Sequence, residues 1–204
     1  MSDYNGGFWD ERYSSEEYVY GTEPNQFFKE QLKKIHPILN LLLPGEGEGR
    51  NAVFAAKLGW NVDAFDQSRV AKLKAQKLAD QHNVKINYTN VNLTKFNPQK
   101  NYYTCAAIIF VHLPADIRFE FYKKIIDSLK PNGKIILELF SRNQYGKNSG
   151  GPQNLEMLST IDEIKNNFGK LKPIILKEEI IQINEGDKHS GEASVIRFVG
   201  EKVL

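Results

Sequence analysis

Leu41-Leu42-Leu43-Pro44-Gly45-Glu46-Gly47-Glu48-Gly49-Arg50-Asn51 is followed, 17 residues after Gly49, by Asp66 at the end of Trp60-Asn61-Val62-Asp63-Ala64-Phe65-Asp66. An apolar strand runs into alternating glycines that open a short helix, and a second strand ends on a carboxylate. That order predicts a Rossmann-like α/β sheet that holds a nucleoside. The glycines let backbone approach the ligand, and the later acid receives the ribose hydroxyls.

Working outward, strands alternate with helices. Thr22-Glu23-Pro24 reads as a helix start, with Phe28, Leu32 and Ile35 as its apolar stripe. The first strand is expected at residues 38–43, and the helix after the glycines closes on Gly59. Ser68 caps a helix whose inner face carries Ala71, Ala75, Leu78 and Ala79. A third strand is expected at 84–91. A fourth, at 105–111, is apolar throughout, as burial on both faces requires. A helix over 115–129 presents Phe119, Tyr122, Ile125, Ile126 and Leu129, then stops at the turn Lys130-Pro131-Asn132-Gly133 before a fifth strand at 134–140. Residues 141–159 read as a long polar loop on the substrate side, and long loops in compact domains are usually functional or mobile. A helix at 160–168 precedes two strands, 174–184 and 193–202, joined by hairpin chemistry and so antiparallel.

Composition narrows the class. The 204 residues suffice for one α/β domain, and the formal net charge is +2 with lysines scattered rather than clustered, so no nucleic-acid partner is expected. Apolar stretches of strand length and a polar N-terminus predict neither a membrane span nor a signal peptide. The lone Cys105 predicts a buried small hydrophobe and agrees with a cytoplasmic location. No Cys, His or carboxylate cluster has metal-ligand spacing.

Two ligand classes compete for the glycine loop. Gly47-x-Gly49-x-x-Ala52 fits a dinucleotide fingerprint, whereas Gly45-x-Gly47-x-Gly49 resembles the first motif of class I S-adenosylmethionine-dependent methyltransferases. Glu46 and Glu48 would set two carboxylates where a pyrophosphate sits, which suits the ammonium and sulfonium of S-adenosylmethionine instead. The family's usual acid two residues before the first glycine is replaced by Leu43. Glu46 is therefore read either as the substitute carboxylate for the methionine ammonium or as an exposed loop acid.

The resemblance extends along nearly the whole chain. Phe8-Trp9-Asp10-Glu11-Arg12-Tyr13, Tyr18-Val19-Tyr20-Gly21-Thr22-Glu23-Pro24-Asn25, Gly45–Asn51, Val62–Asp66, Asn92-Leu93, Leu129–Gly133 and Gly150-Gly151-Pro152 together resemble the group that includes tellurite-resistance and thiol methyltransferases. The resemblance implies a mostly parallel seven-stranded sheet with an antiparallel last strand. It implies Gly45, Gly47 and Gly49 beside the methionine and ribose, Asp66 on the ribose hydroxyls, Gln67 bordering the adenine, Asn92 on its amino group and Leu93 packed on the ring. It implies methyl transfer to a small-molecule acceptor, such as a thiol or chalcogen oxyanion. A non-catalytic S-adenosylmethionine-binding module remains the alternative, ahead of an NAD(P)-dependent oxidoreductase, for which no Tyr-x-x-x-Lys follows the fourth strand. Oligomeric state is not legible.

Methyl transfer from a sulfonium is an in-line displacement, so alignment and exclusion of water matter most and a general base is optional. Val111-His112-Leu113-Pro114, just past the fourth strand, should flank the methyl group at the switch point. His112 is a candidate to deprotonate or orient the acceptor. His189, in the last hairpin, is a second candidate, with a surface-loop histidine as its plainer reading. Residues 1–30 are expected to form a lid in which Trp9, Tyr13 and Tyr20 shield the sulfonium or simply pack on the sheet. Tyr20 is the other catalytic candidate.

Overall fold

The structure, a computed structural model, describes residues 6–203. Residues 1–5 of the expected lid lie outside the described residues. Helices α1 (Gly6–Arg12) and α2 (Gln26–Leu32) lead into β1 (Asn40–Pro44), α3 (Arg50–Lys57), β2 (Asn61–Asp66), α4 (Arg69–Gln81) and β3 (Asn87–Asn90). Then come β4 (Tyr103–Ile109), α5 (Ala115–Ser128), β5 (Leu129–Phe140), α6 (Ile161–Asn167), β6 (Leu171–Asn184) and β7 (Ser190–Lys202). The seven strands form one sheet in the order β3-β2-β1-β4-β5-β7-β6. The β1–β2, β1–β4, β2–β3 and β4–β5 pairs are parallel, and β7 runs antiparallel to both β5 and β6. This is the class I methyltransferase fold, as expected. Among the described residues no helix is long and apolar enough to cross a membrane.

Period-two alternation explains why the central strands read as continuous apolar runs. Leu42, Ala106, Ile108, Ile135 and Leu137 enter one core with Phe121, Tyr122 and Ile125 of α5 and Ile164 of α6. Leu41, Leu43, Cys105, Ala107 and Ile136 enter the opposite core with Phe28 and Leu32 of α2, Ala52 and Ala55 of α3, and Ala75 of α4. Burial in that second core pushes the Cys105 thiol far up, which leaves it inert as a nucleophile.

Local readings hold at several ends. Ser68 accepts from the Ala71 N–H at 3.0 Å, and Gly59 closes α3 with φ 91°. Others are corrected. Helix α2 is capped by Asn25, whose side chain accepts from the Phe28 N–H, and not by Thr22. Phe119 is 57% exposed, and Arg118 of the same helix is buried. Its guanidinium donates to Leu113 O, Ser159 Oγ and Glu156 O, so α5 is turned to tie the 155–163 segment to the end of β4. The turn expected at 130–133 falls inside β5: Leu129 pairs with Tyr103 and Lys134 with Cys105, and the residues between are unpaired, with Asn132 at φ 62°. The 141–159 segment is ordered by two 3₁₀ turns, Arg142–Gln144 and Leu155–Met157.

Candidate active site

The order β3-β2-β1-β4-β5 reverses direction between β1 and β4, so the loops after these strands part and leave a crevice at their carboxyl ends. A cleft of about 830 Å³ opens there. Its walls come from α1 and the 20–21 segment, the glycine loop, Asp66 and Gln67, residues 109–113, Phe140, the 147–157 segment and the β6–β7 turn.

The glycine loop is shaped by contacts that exclude side chains. A Cβ on Gly45 would lie 2.7 Å from Val111, and one on Gly49 would lie 2.6 Å from the Ala75 Cβ, both at positive φ. Gly47 N–H donates to Asp66 Oδ2 at 3.0 Å, and Ser68 N–H donates to Oδ1 at 2.8 Å. Each carboxylate oxygen of Asp66 keeps lone-pair capacity for a ribose hydroxyl. The Gly47 carbonyl accepts from Tyr88 Oη at 2.5 Å.

The two loop acids do different things. Glu46 reaches over the start of α3 and accepts from the Ala52 N–H at 2.7 Å, so a carboxylate already occupies the anion position of that helix. A pyrophosphate has no place there. Glu48, also on the cleft wall, accepts from Val19 N–H at 2.8 Å and pairs with Lys74. Burial raises the Glu46 carboxyl to about 7 and Asp66 to about 6, their backbone hydrogen bonds only partly opposing it. Two half-starved carboxylates on one wall favour a positively charged occupant.

The aromatic N-terminal residues do form one wall. Asp10 Oδ1 accepts from Ser68 Oγ at 2.6 Å and Val70 N–H at 3.2 Å, fastening α1 to the start of α4. Trp9 stacks on Tyr13 at 5.6 Å, and the Tyr13 hydroxyl abuts Gly47. Lys74 donates to the carbonyls of Ser15 and Glu17 at 3.0 and 2.6 Å, strapping the segment down.

Beyond the loop, the far end is aromatic. Phe110 adopts φ 53°, unusual for a bulky side chain, and stacks on Phe140 at 4.5 Å. His112 stacks on the other part of this wall, 5.5 Å from Phe140, and its Nδ1 lies 3.2 Å from Met157 O. A carbonyl can only accept, so Nδ1 carries the proton and Nε2 is a bare acceptor, buried with no partner among the described residues. Burial drives this imidazole to about 3, the Met157 carbonyl only partly opposing it, so the ring is neutral near pH 7. Tyr20 lines the cleft 4.5 Å from the His189 ring, and burial raises its hydroxyl, which stays a donor.

Of the residues read from sequence, Gly45, Glu46, Gly47, Asp66, Gln67, Val111, His112 and Tyr20 meet at the cleft. Gly49 supports it from the start of α3. Asn92 and Leu93 are not brought to its wall. Asn92 Oδ1 is taken up by the Thr94 N–H and hydroxyl, and its Nδ2 donates to Gln67 Oε1 at 3.1 Å, while Leu93 packs against the core beneath.

His189, a candidate from its hairpin, reaches the cleft buried rather than as a surface-loop histidine, and the network behind it was not legible in sequence. His189 is only 7% exposed and lines the cleft, with Nδ1 3.5 Å from Glu185 Oε2. Glu185 is in turn gripped by Arg50 at 2.8 Å and by Asn25 Nδ2 at 2.9 Å. Asn25 Nδ2 also reaches Glu138, which pairs with Arg197. The Thr22-Glu23-Pro24-Asn25 run thus anchors the site through its last residue. Its position next to a helix was the only signal available.

A glycine-bordered crevice at the switch point, an acid on the second strand and acidic walls define the class I methyltransferases. Residues 42–133, which carry both the loop and Asp66, match the model of a methyltransferase domain. No curated protein matches the chain. Among solved structures it is similar to a protein studied for conversion of a disulfide bond into a thioacetal group in echinomycin biosynthesis, at 12% identity over 100% of this chain and 92% of that one, TM-score 0.77. It is similar to TehB from Haemophilus influenzae at 13% identity over 97% and 66%, TM-score 0.71. A geranyl diphosphate methyltransferase in complex with its prenyl diphosphate and sinefungin matches at 12% identity over 87% and 76%, TM-score 0.66. At such identities the likeness is one of fold.

Proposed function

We propose that the chain transfers a methyl group from S-adenosylmethionine to a small-molecule acceptor, with a thiol or a chalcogen oxyanion as the candidate classes. The observation that carries this reading is the pairing of Glu46 and Asp66, both raised by burial, on a wall where Glu46 already caps α3. A cationic amino-acid tail offsets the first charge, and a ribose satisfies the second. Sinefungin, an analogue of the methyl donor, accompanies a protein of this fold, which supports the same cofactor.

When bound, S-adenosylmethionine supplies an electrophilic methyl carbon. Asp66 orients the ribose, Gln67 borders the base, and Val111 fills the space beside Gly45. Trp9, Tyr13 and Tyr20 exclude water from the reaction line, a contribution that alignment makes valuable. The cleft of about 830 Å³ holds the donor and one compact acceptor.

Calorimetry with S-adenosylmethionine, S-adenosylhomocysteine and NAD tests the cofactor, and transfer of a tritiated methyl group to thiols, phenols, iodide and tellurite tests the acceptor. Binding of both sulfur nucleosides without NAD binding, together with transfer to at least one acceptor, is expected. Heat with NAD alone refutes the reading. Binding without transfer to any acceptor makes the chain a binding module.

A further inference from the structure

The acceptor end of the cleft has a chemistry of its own. It is walled by Phe110, Phe140 and Tyr20, with the rings of His112 and His189 packed at its border. His112 presents a bare Nε2 because Met157 O takes the proton on its Nδ1. His189 is fixed by Glu185 in the same sense: the carboxylate faces Nδ1, which places the proton there and leaves Nε2 as the free lone pair. Burial works against the charge of Glu185, yet the His189 ring and the Arg50 guanidinium outweigh it and hold its carboxyl at about 2, so the orienting group is a permanent anion.

The Gly150-Gly151 pair keeps this edge open. A Cβ on Gly150 would lie 2.6 Å from His189 Cδ2 and 3.3 Å from Nε2, and one on Gly151 would lie 2.7 Å from Phe140. The residues that face His189 are Glu185 and Arg50, Arg12 and Tyr20 of the N-terminal segment, and His112 across the cleft. Of the cleft's cations, Arg50 is paired with Glu185 and Lys147 with Glu192. Arg12, beside Tyr20 and His189, and Lys188 also line the cleft, while the bare His189 ring nitrogen accepts a hydrogen bond and gives none to an oxyanion. A neutral molecule with one ionisable hydrogen fits the His189 lone pair and the three rings.

Resting on the methyl-transfer reading, we propose that His189 is the general base for a small neutral thiol seated among Phe110, Phe140 and Tyr20, with Glu185 as its positioning residue. The thiol proton passes to His189 Nε2. The freed sulfur pair forms the new bond to the methyl carbon, the pair of the broken methyl–sulfonium bond goes to the donor sulfur, and His189 returns its proton to solvent. A thiol of pKa about 8.5 is within reach of an imidazole at neutral pH, whereas an alcohol is not.

The test uses benzyl mercaptan, a weakly acidic thiol with an aromatic body, and thiophenol, which ionises without help at pH 8. His189→Asn is expected to lower kcat with benzyl mercaptan by about 100-fold and to cost far less with thiophenol, with affinity for S-adenosylhomocysteine kept within twofold. Glu185→Gln is expected to displace the acid limb of the benzyl mercaptan pH profile. NMR titration of the ligand-free wild-type chain supplies a readout without turnover: the His189 ring should protonate below its ordinary range, and benzyl mercaptan with S-adenosylhomocysteine should shift its signals. Equal losses with both thiols, an unmoved His189 signal, or transfer to tellurite or iodide but to no thiol overturns the proposal. If S-adenosylhomocysteine itself fails to bind, it is the cofactor reading that falls. Should His189→Asn not fold, His189→Gln and the wild-type titration decide.

Discussion

Glu46→Gln separates what the glycine loop does for the ligand from what it costs the fold. In the folded chain burial raises the Glu46 carboxyl from 4.5 to about 7. A carboxyl raised on folding favours the native state at low pH, and that contribution is lost as pH climbs through the folded value. At 1.36 kcal/mol per pKa unit the full shift corresponds to roughly 3 kcal/mol, and because the side chain is half-open to the cleft about 2 kcal/mol is the working figure. Glutamine keeps an oxygen for the Ala52 N–H and carries no charge. The variant should therefore melt about 4–8 °C above wild type at pH 8, the gap opening between pH 4.5 and 7 and vanishing near pH 4. The same substitution should weaken S-adenosylmethionine by roughly 10- to 100-fold, the range of a lost charge-assisted hydrogen bond. Scanning calorimetry across pH measures the first, and titration calorimetry measures the second. A variant that is both no more stable at pH 8 and equally tight for the ligand would falsify the assignment of Glu46 to the cofactor's ammonium.

Other perturbations test neighbouring parts. Gly49→Ala forces a Cβ to within 2.6 Å of Ala75 at φ 92°, and a fall in melting temperature of about 5–10 °C is expected by thermal scanning; a change under 2 °C counts against a tight α3–α4 approach. Lys74→Met removes the donor to the Ser15 and Glu17 carbonyls and the partner of Glu48. Limited proteolysis within residues 13–22 should accelerate about tenfold, with S-adenosylhomocysteine restoring protection, and an unchanged cleavage rate would show that the aromatic wall is held by other means.

Legibility followed the range of the interaction. The alternation of glycines and the carboxylate at Asp66 could be read because backbone close approach and a strand-end acid are local facts. So could the Ser68 cap, since its partner, Ala71, lies three residues away. Asn25 and Phe119 were misjudged for the opposite reason. The first works on Glu138 and Glu185, more than a hundred positions distant, and the second follows from Arg118 being turned inward toward the 155–163 segment. Asn92 looked available for a base until the Thr94 N–H and hydroxyl took up its oxygen.

By itself the chain's order of residues determined an α/β sheet with a nucleoside crevice and an acidic glycine loop, because periodicity, turn chemistry and loop charge are written within a few positions of one another. Only the tertiary structure decided that Glu46 caps α3, that Glu48 belongs to Lys74 and Val19, and that His189 lies buried beside Glu185 and the free edge left by Gly150. Those outcomes depend on burial and on partners from distant strands, and neither quantity exists until the sheet has closed.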